Sequence, residues 1–265
     1  MQVTVLHFST ADKPSCKAYL LLQAHLGRIP LPVSDYVTDT RSVLENSMRI
    51  LQALIDITAE NGWWPSCLST MKAIQCIMQG RWDDANDLMQ LPHVSGVQEA
   101  KEFSNRLKVS NLKSLISKYA EDRKFVEVHT RKLYGPRKAE ETLAVLERLP
   151  HITASTTLVL GEKNKITVNV TRISGRFKST SKPPRSFTPC FPKIKEEGWW
   201  CCAVNPIANE ILALKRVSFG SKGSFNIQLS DTNFLQRLKE TKTALVIHLI
   251  SDSYLGLDLQ IPSTL

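Results

Sequence analysis

The chain lacks the sequence features of several large functional classes. No apolar run approaches the roughly eighteen residues that span a bilayer, and the best candidate, residues 19–26, is interrupted by Gln23 and His25. We therefore expect no membrane partner. No two of the eleven glycines are five residues apart, which excludes the G-x-x-x-x-G-K-[ST] phosphate loop of an ATPase motor. The hydrolase motifs G-x-S-x-G and H-E-x-x-H are also missing, so we predict no catalytic residue and no cofactor.

Cysteine and histidine do not form a metal-binding pattern. None of the six cysteines belongs to a C-x-x-C pair, and the six histidines fall in different predicted elements. Cys201 and Cys202 are adjacent, and in a strand they would point to opposite faces, which makes a poor chelate. His25 lies on an apolar helix face, where a packed histidine is commoner than a ligand. We predict no metal site and reduced thiols, as in nuclear or cytoplasmic proteins.

The net charge of +9 is unevenly distributed along the chain. Residues 1–100 hold 7 basic and 10 acidic side chains, residues 101–200 hold 21 and 10, and residues 201–265 hold 6 and 5. A basic middle between nearly neutral flanks favours a polyanionic partner. The alternative is a solvated surface that is merely rich in lysine, because the charges are scattered rather than grouped.

Helical periodicity dominates residues 12–90, which we interpret as a helical bundle. One helix begins at Pro14 and ends at Gly27, and another begins at Pro65 and ends at Gly80. The strongest pattern covers residues 39–60, where polar side chains lie opposite a wide apolar stripe. The stripe consists of Val43, Leu44, Ile50, Leu51, Leu54, Ile55 and Ile57.

The helical pattern in residues 91–152 predicts a second, smaller unit of the helix-loop-helix type. One helix covers residues 111–119, and a second begins at Pro136 and ends before Pro150. A basic surface on short paired helices suits contacts with nucleic-acid phosphates, although ordinary helical hairpins have the same pattern. The candidates for phosphate contact are Lys113, Lys118, Arg137 and Lys138.

The periodicity changes from helical to alternating after His151. A hairpin is predicted around a turn at Lys163 and Asn164, and residues 176–192, rich in Ser, Pro and Lys, predict a long loop. Short strands separated by turns indicate an antiparallel, immunoglobulin-like sandwich (of the fibronectin or C2 type) over residues 153–265. Its further strands are predicted at 199–204, 210–217, 224–229 and 244–250. The fold class is therefore multidomain, α followed by β.

Several motifs, in order, resemble the Sec63 domains of large Ski2-like helicases over residues 12–260. The signal-cointegrator branch of these helicases is the nearest in pattern, with the spliceosomal branch as the alternative. The motifs are KAYLLLQAH (17–25), SDY (34–36), DT (39–40), GW (62–63), QGRW (79–82), LPHV (91–94), LPHI (149–152), FPKIKEEGW (191–199), LALKRV (212–217) and SDSYLGLD (251–258).

The resemblance implies a helical bundle, a helix-loop-helix unit and an immunoglobulin-like domain. In the family a long "ratchet" helix of the bundle touches the translocated strand, and this helix falls on residues 36–61. Arg49 and Asn46 match its nucleic-acid contact positions. An arginine can pair with phosphate or stack on a base, and an asparagine adds a hydrogen bond. The alternative is that Arg49 only pairs with Glu45, one turn earlier.

Family members carry two RecA-like domains and a winged helix before this region. We expect the chain to be a fragment, an isoform or an incomplete gene product, with apolar surface uncovered near residues 20–26. Two functions are compatible with the sequence. The first is a non-catalytic helicase accessory module that binds single-stranded RNA or DNA, the helicase core and other complex subunits, in the nucleus or cytoplasm. The second is a protein-interaction scaffold without nucleic-acid contact. A translocation subunit of the endoplasmic reticulum would need membrane spans and a J domain, which are absent from the sequence.

Overall fold

Helices precede strands in the computed structural model, which describes residues 14–159, 165–177, 179–229 and 245–263. The helices are α1 (Pro14–Gly27), α2 (Ser34–Glu60), α3 (Trp64–Gln79), α4 (Val97–Leu107), α5 (Leu112–Glu121) and α6 (Arg123–Leu146), with a short 3-10 helix at Asp87–Gln90. The strands are β1 (His151–Val159), β2 (Lys165–Ser174), β3 (Trp199–Asn205), β4 (Glu210–Val217), β5 (Lys222–Gln228), β6 (Leu245–Ser251) and β7 (Leu259–Ser263). The predicted order, α followed by β, is confirmed. No helix in the described parts of the chain combines the length and apolar character needed to cross a membrane.

The first three helices pack on one face of a β-sheet. Leu44 and Ile55 of α2 meet Met71 of α3 in a core that also contains Trp200 and Cys202 of β3. Proline in the first turn of α3 and left-handed Gly80 at its end explain the bounds of that helix, as predicted from these two residues. The helices thus depend on the sheet to bury their apolar face.

The next three helices form a second core. Phe103 and Leu107 of α4 pack with Leu112 of α5 and Leu146 of α6. Asn111 caps α5 in a reciprocal capping box with Ser114. Helix α6 is interrupted at Gly135 (φ 77°), so the helix predicted to begin at Pro136 is present as the segment after this kink.

The strands form two antiparallel sheets with the orders β1-β2-β5 and β4-β3-β6-β7. Side chains from both sheets share one core, with Val168 of β2 and Cys201 of β3 among them. Cys202 faces the opposite way, into the core with α2 and α3. Strand β3 is therefore buried on both faces, and the two cysteines point apart as predicted. The predicted hairpin pairs β1 with β2, whereas its turn at residues 163–164 lies outside the described residues.

Three buried glutamines join the helices to the end of β6 and the residues that follow it. Gln75 and Gln79 of α3 donate from Nε2 to the carbonyls of Ser251 (2.7 Å) and Ser253 (2.6 Å). Gln90 donates to the carbonyl of Leu255 and accepts from its amide, both at 2.9 Å. Ser251 ends β6, where it pairs with Trp199 of β3, whereas Ser253 and Leu255 lie beyond the strand. The glutamine side chains thus supply a donor to each of three alternate buried carbonyls. We call residues 251–258 the junction segment.

Gly256 and Tyr254 of the junction segment are also closely packed against other parts of the chain. Gly256 has φ 78°, and a Cβ there would collide with the Asp87 carboxylate, which accepts a hydrogen bond from the amide of Leu112. Tyr254 is fully buried and its hydroxyl accepts from the amide of Phe187 (2.8 Å). The segment therefore contacts the first helices, the second helices and the loop that precedes β3.

A buried ion pair joins the residues on either side of the predicted loop at 176–192. Arg172 Nη2 lies 2.5 Å from Glu197 Oε2, and Arg172 Nε donates to the carbonyl of Gly220. Burial raises the pKa of Glu197 to about 7, despite the opposing guanidinium. Apart from an isolated bridge at Arg185, the described residues of this loop form no helix or strand.

We expect Gln79→Leu to lower the free energy of unfolding by about 2–5 kcal/mol, because it leaves the buried carbonyls of Ser253 and Phe187 without their donor. Gln52→Leu, on the exposed face of α2, is the matched control and should change it by less than about 0.5 kcal/mol. Urea unfolding followed by circular dichroism measures both. Equal losses in the two variants would contradict the role of Gln79.

The carboxyl of Asp258 should make stability depend on pH. Burial raises its pKa to about 6, although its Oδ1 accepts from the Ser251 amide and Gln75 Nε2. Since the folded-state pKa lies above the unfolded one, this contribution is present at low pH and lost as the pH rises through about 6. Asp258→Asn keeps the acceptor but cannot ionise. Urea titrations between about pH 4 and pH 7.5 should show wild type losing stability relative to the variant, by at most about 1.4 kcal/mol per pH unit. Parallel pH profiles of the two proteins would be evidence against this assignment.

Candidate nucleic-acid interface

Helix α2 presents Asn46 and Arg49 to solvent. The helix buries Leu44, Met48 and Ile55 against its neighbours, so residues on the opposite face remain exposed. Asn46 and Arg49 are three residues apart and lie side by side on that face. The predicted ratchet helix, residues 36–61, corresponds to α2 at Ser34–Glu60.

The predicted apolar stripe of α2 is only partly buried, which corrects the sequence-based expectation. Ile50, Leu54 and Ile57 are 62%, 41% and 50% exposed. The reason is geometric: α2 has α1, α3 and β4 as its packing neighbours, and these cover one side of the helix. The remaining apolar side chains share the solvent-exposed face with Arg49.

The alternative, a pairing of Arg49 with Glu45, is not found among the described residues. Glu45 instead contacts Arg41 Nε (3.2 Å) and Lys193 Nζ (2.8 Å). The hydrogen bond from Lys193 is the main reason why the pKa of Glu45 lies below its usual range. Within the described residues Arg49 has no carboxylate partner. Its guanidinium is therefore available for an external anion.

The four predicted phosphate contacts lie on a different part of the molecule. Lys113 and Lys118 belong to α5, while Arg137 and Lys138 follow the kink in α6. Arg137 is 93% exposed and lies 3.6 Å from Glu141. Helices α5 and α6 pack on each other, whereas α2 packs on α1, α3 and β4. The predicted contact residues therefore lie on three helices, α2, α5 and α6, and not on a single one.

A groove between α4 and α6 was not predicted from the sequence. Its volume is about 850 Å³, and we call it the α4–α6 groove. Phe125 and His129, one turn apart on α6, stack with ring centroids 3.9 Å apart. Their i, i+4 spacing is the only sequence signal, and it is equally typical of a core helix. The charged side chains on the opposite wall are Lys101, Glu102, Arg106 and Lys108.

Helix α1 leaves some apolar surface uncovered near residues 20–26, as expected. Leu20 is 59% exposed, whereas Leu21 is buried. His25 is satisfied, since its Nε2 lies 2.7 Å from the carbonyl of Ile77, and burial lowers its pKa. The prediction that His25 is a packed residue is consistent with this contact. Among the described residues, no three His, Cys, Asp or Glu side chains form a group that could bind a metal ion.

Comparison with protein families matches residues 1–264 to the Sec63 Brl domain. The chain belongs to this family. It is 34% identical over 93% of its length to a DExH-box ATP-dependent RNA helicase of Arabidopsis thaliana, and covers 11% of that protein. It is 29% identical to activating signal cointegrator 1 complex subunit 3 of Bos taurus, over 94% of the chain and 13% of that protein. It is also 29% identical to the U5 small nuclear ribonucleoprotein 200 kDa helicase of Drosophila melanogaster, over 93% and 11%.

These relatives confirm the resemblance to the Sec63 domain of a Ski2-like helicase. This Sec63 domain spans about a tenth of the length of the helicases it matches. Its two candidate surfaces, α2 and the α4–α6 groove, belong to its helical part.

Proposed function

We propose that this Sec63 domain is a non-catalytic accessory module of a longer helicase, and that the outer face of α2 contacts the translocated single strand of RNA or DNA. The observation that carries the proposal is the exposed guanidinium of Arg49, which has no carboxylate partner in the described residues although Glu45 lies one turn away. An unpaired arginine on a rigid helix costs little to engage with a phosphate.

The surroundings of Arg49 suit a nucleic-acid strand. Asn46 can donate a hydrogen bond to a phosphate or a base from the same face of α2. Ile50 and Ile57 offer apolar surface to sugars and base faces beside the charged contact. A helix gives these groups a fixed spacing, since α2 is 27 residues long and is packed along one side on α3 and the sheet.

The proposed partners are the helicase core and other subunits of its complex, in the nucleus or cytoplasm. One relative is a complex subunit and another is a ribonucleoprotein helicase by name. We also assign the two sheets to the immunoglobulin-like class. Support comes from their sheet orders, β1-β2-β5 and β4-β3-β6-β7, and from the core shared by their inner faces.

A protein-interaction scaffold is the second candidate, favoured by exposed apolar side chains near the start of β4. Ile207, in the turn before β4, is 78% exposed, and Trp63, which bridges to Glu210 of β4, is 55% exposed. Exposed apolar side chains beside an edge strand suit a protein surface better than a polyanion.

A salt titration distinguishes the two candidates. If three or more cations contact phosphates, the affinity for single-stranded RNA or DNA should fall roughly twentyfold between about 50 and 200 mM salt, because counterions are released on binding. Fluorescence anisotropy with labelled strands measures this slope. Binding that is undetectable even at low salt would favour the scaffold instead.

Arg49→Ala should weaken strand binding roughly tenfold, the effect of losing one charge-assisted contact, and should leave Tm unchanged because the side chain is exposed. Arg41→Ala is the matched control, as it removes the same charge from α2 at a residue that is already paired with Glu45. The same anisotropy assay and a thermal melt give both readouts. Equal affinity of Arg49→Ala and wild type would exclude Arg49 as a contact.

A further inference from the structure

A pocket lies where the second group of helices meets the β-strands. Its volume is about 360 Å³, and we call it the α5–β2 pocket. The last turn of α5, both ends of α6, the start of β1 and the end of β2 contribute its walls. The apolar part of the lining has a buried floor and one exposed residue, Ala120. The floor consists of Ile116, Leu146 and Leu149.

The single carboxylate among the described lining residues is already neutralised. Glu147 accepts a hydrogen bond from the Tyr119 hydroxyl (3.1 Å) and forms an ion pair with Arg123. Arg123 Nε also lies 2.6 Å from Glu127 Oε1, outside the lining, and the guanidinium carbon is 5.3 Å from the centroid of the Tyr119 ring. Arg123 and Glu147 are therefore held by each other and by their neighbours.

Two further side chains of the lining are available to a ligand. Arg176 is exposed, and within the described residues its guanidinium has no carboxylate partner, although its backbone amide donates to the carbonyl of Glu147 (2.8 Å). His151 Nδ1 contacts the Ser174 hydroxyl, which leaves Nε2 for another partner. Burial lowers the pKa of His151, although Glu121 opposes this effect. The imidazole is therefore neutral at pH 7 and contributes a hydrogen bond without a charge.

The charge of the lining matches one carboxylate. Arg123 and Arg176 supply two positive charges and Glu147 one negative charge, which leaves one positive charge. A carboxylate balances this charge, whereas a phosphate monoester carries about −1.5 to −2 at neutral pH. A nucleic-acid strand would need several free cations for successive phosphates, and among the described lining residues Arg176 is the only guanidinium without a carboxylate.

We propose that the α5–β2 pocket binds the C-terminal residue of a partner protein, whose carboxylate contacts Arg176 and His151 while its aliphatic side chain packs on the apolar floor. The inference rests on the proposed docking of other complex subunits and is independent of strand contact by α2. Capture of a terminal carboxylate is an established mode of peptide recognition. The pocket would thus give the module a docking point for a protein at the junction of its helices and strands.

A terminal residue fits this pocket better than an internal acidic residue does. A terminal residue carries its carboxylate and its side chain on the same Cα, so both groups can enter a volume of about 360 Å³ end-on. A chain that continued beyond an internal Asp or Glu would have to leave the pocket again. Walls from α5, α6 and the two strands stand in the way of such a path.

The test uses two small probes that differ only in the terminal group. N-acetyl-L-leucine has the carboxylate and side chain of a last residue, and N-acetyl-L-leucinamide has an amide in place of the carboxylate. NMR titration of the isotope-labelled chain should show the acid binding at residues 174–176 with a Kd of about 1 mM, as expected for about twelve heavy atoms. The amide should bind roughly tenfold more weakly, because it loses a charge-assisted contact.

Variants distinguish recognition of the carboxylate from a structural role. Arg176→Gln should weaken the acid roughly tenfold and leave the amide unchanged, so that the preference for the acid disappears. A purely structural role of Arg176 would change both probes equally. Arg185→Gln is the matched control and should change neither, since it removes the same charge from an exposed residue of the same loop outside the pocket. Ala120→Trp, at the exposed lining residue, should abolish binding of both probes without loss of Tm.

Two more probes decide the source of the carboxylate. The α-amide of N-acetyl-L-glutamic acid carries its carboxylate on a side chain, and uridylate represents a nucleotide. Tighter binding of either probe than of N-acetyl-L-leucine at residues 174–176 would overturn the assignment to a protein C-terminus. Equal affinity of the acid and the amide for wild type, or no chemical-shift change at about 20 mM acid, would overturn the pocket as a carboxylate site.

Strand binding separates this proposal from the one on α2. Absence of N-acetyl-L-leucine binding, with strand binding weakened in Arg49→Ala, would overturn the pocket and leave the proposed function standing. Binding of the acid that depends on Arg176, with equal strand affinity of Arg49→Ala and wild type, would support the pocket and exclude Arg49. A loss of strand affinity in Arg176→Gln as large as in Arg49→Ala would assign Arg176 to nucleic acid and overturn the inference.

Discussion

The arrangement of this Sec63 domain depends on the hydrogen bonds from Gln75, Gln79 and Gln90 to the junction segment. These side chains donate to three alternate buried carbonyls, and an unsatisfied buried carbonyl costs about 1–3 kcal/mol. Because one short segment receives bonds from α3 and from the 3-10 helix, both helical cores are held to the same sheet. Gly256 permits the close approach of Asp87 that completes this contact.

This constraint also determines which surface of α2 is free. Helix α3 is held against β6 and the junction segment, and α2 covers α3 and β4 from one side. Its opposite face then keeps Arg49 and three apolar side chains in solvent. In the same way, α4 and α6 close over Phe103 and Leu107 but leave an open groove above them. The proposed nucleic-acid surface on α2 is therefore the outer side of a helix whose inner side completes a core.

The outline of the fold could be predicted because its signals are local. Pro14, Gly27, Pro65 and Gly80 bound helices by restricting or relaxing φ, and alternation of apolar residues marks strands whatever their neighbours are. Which residues of the apolar stripe of α2 are buried could not be predicted in this way. Periodicity shows that Ile50, Leu54 and Ile57 are apolar and on one side, but burial depends on how many neighbours the helix has.

Sequence alone determined the order of elements, the family resemblance, the basic middle of the chain and the candidates Asn46 and Arg49. Tertiary structure decided which of the charges are free. Glu45 pairs with Arg41, one turn away, and with Lys193, 148 positions along the sequence, whereas Arg49 has no carboxylate partner among the described residues. Lys101, Arg106 and Lys108 acquire a common groove with His129 only when α4 packs on α6. Such a surface depends on residues that are far apart in the sequence and close together in the fold. The sequence pattern of a single helix gives no information on those distances.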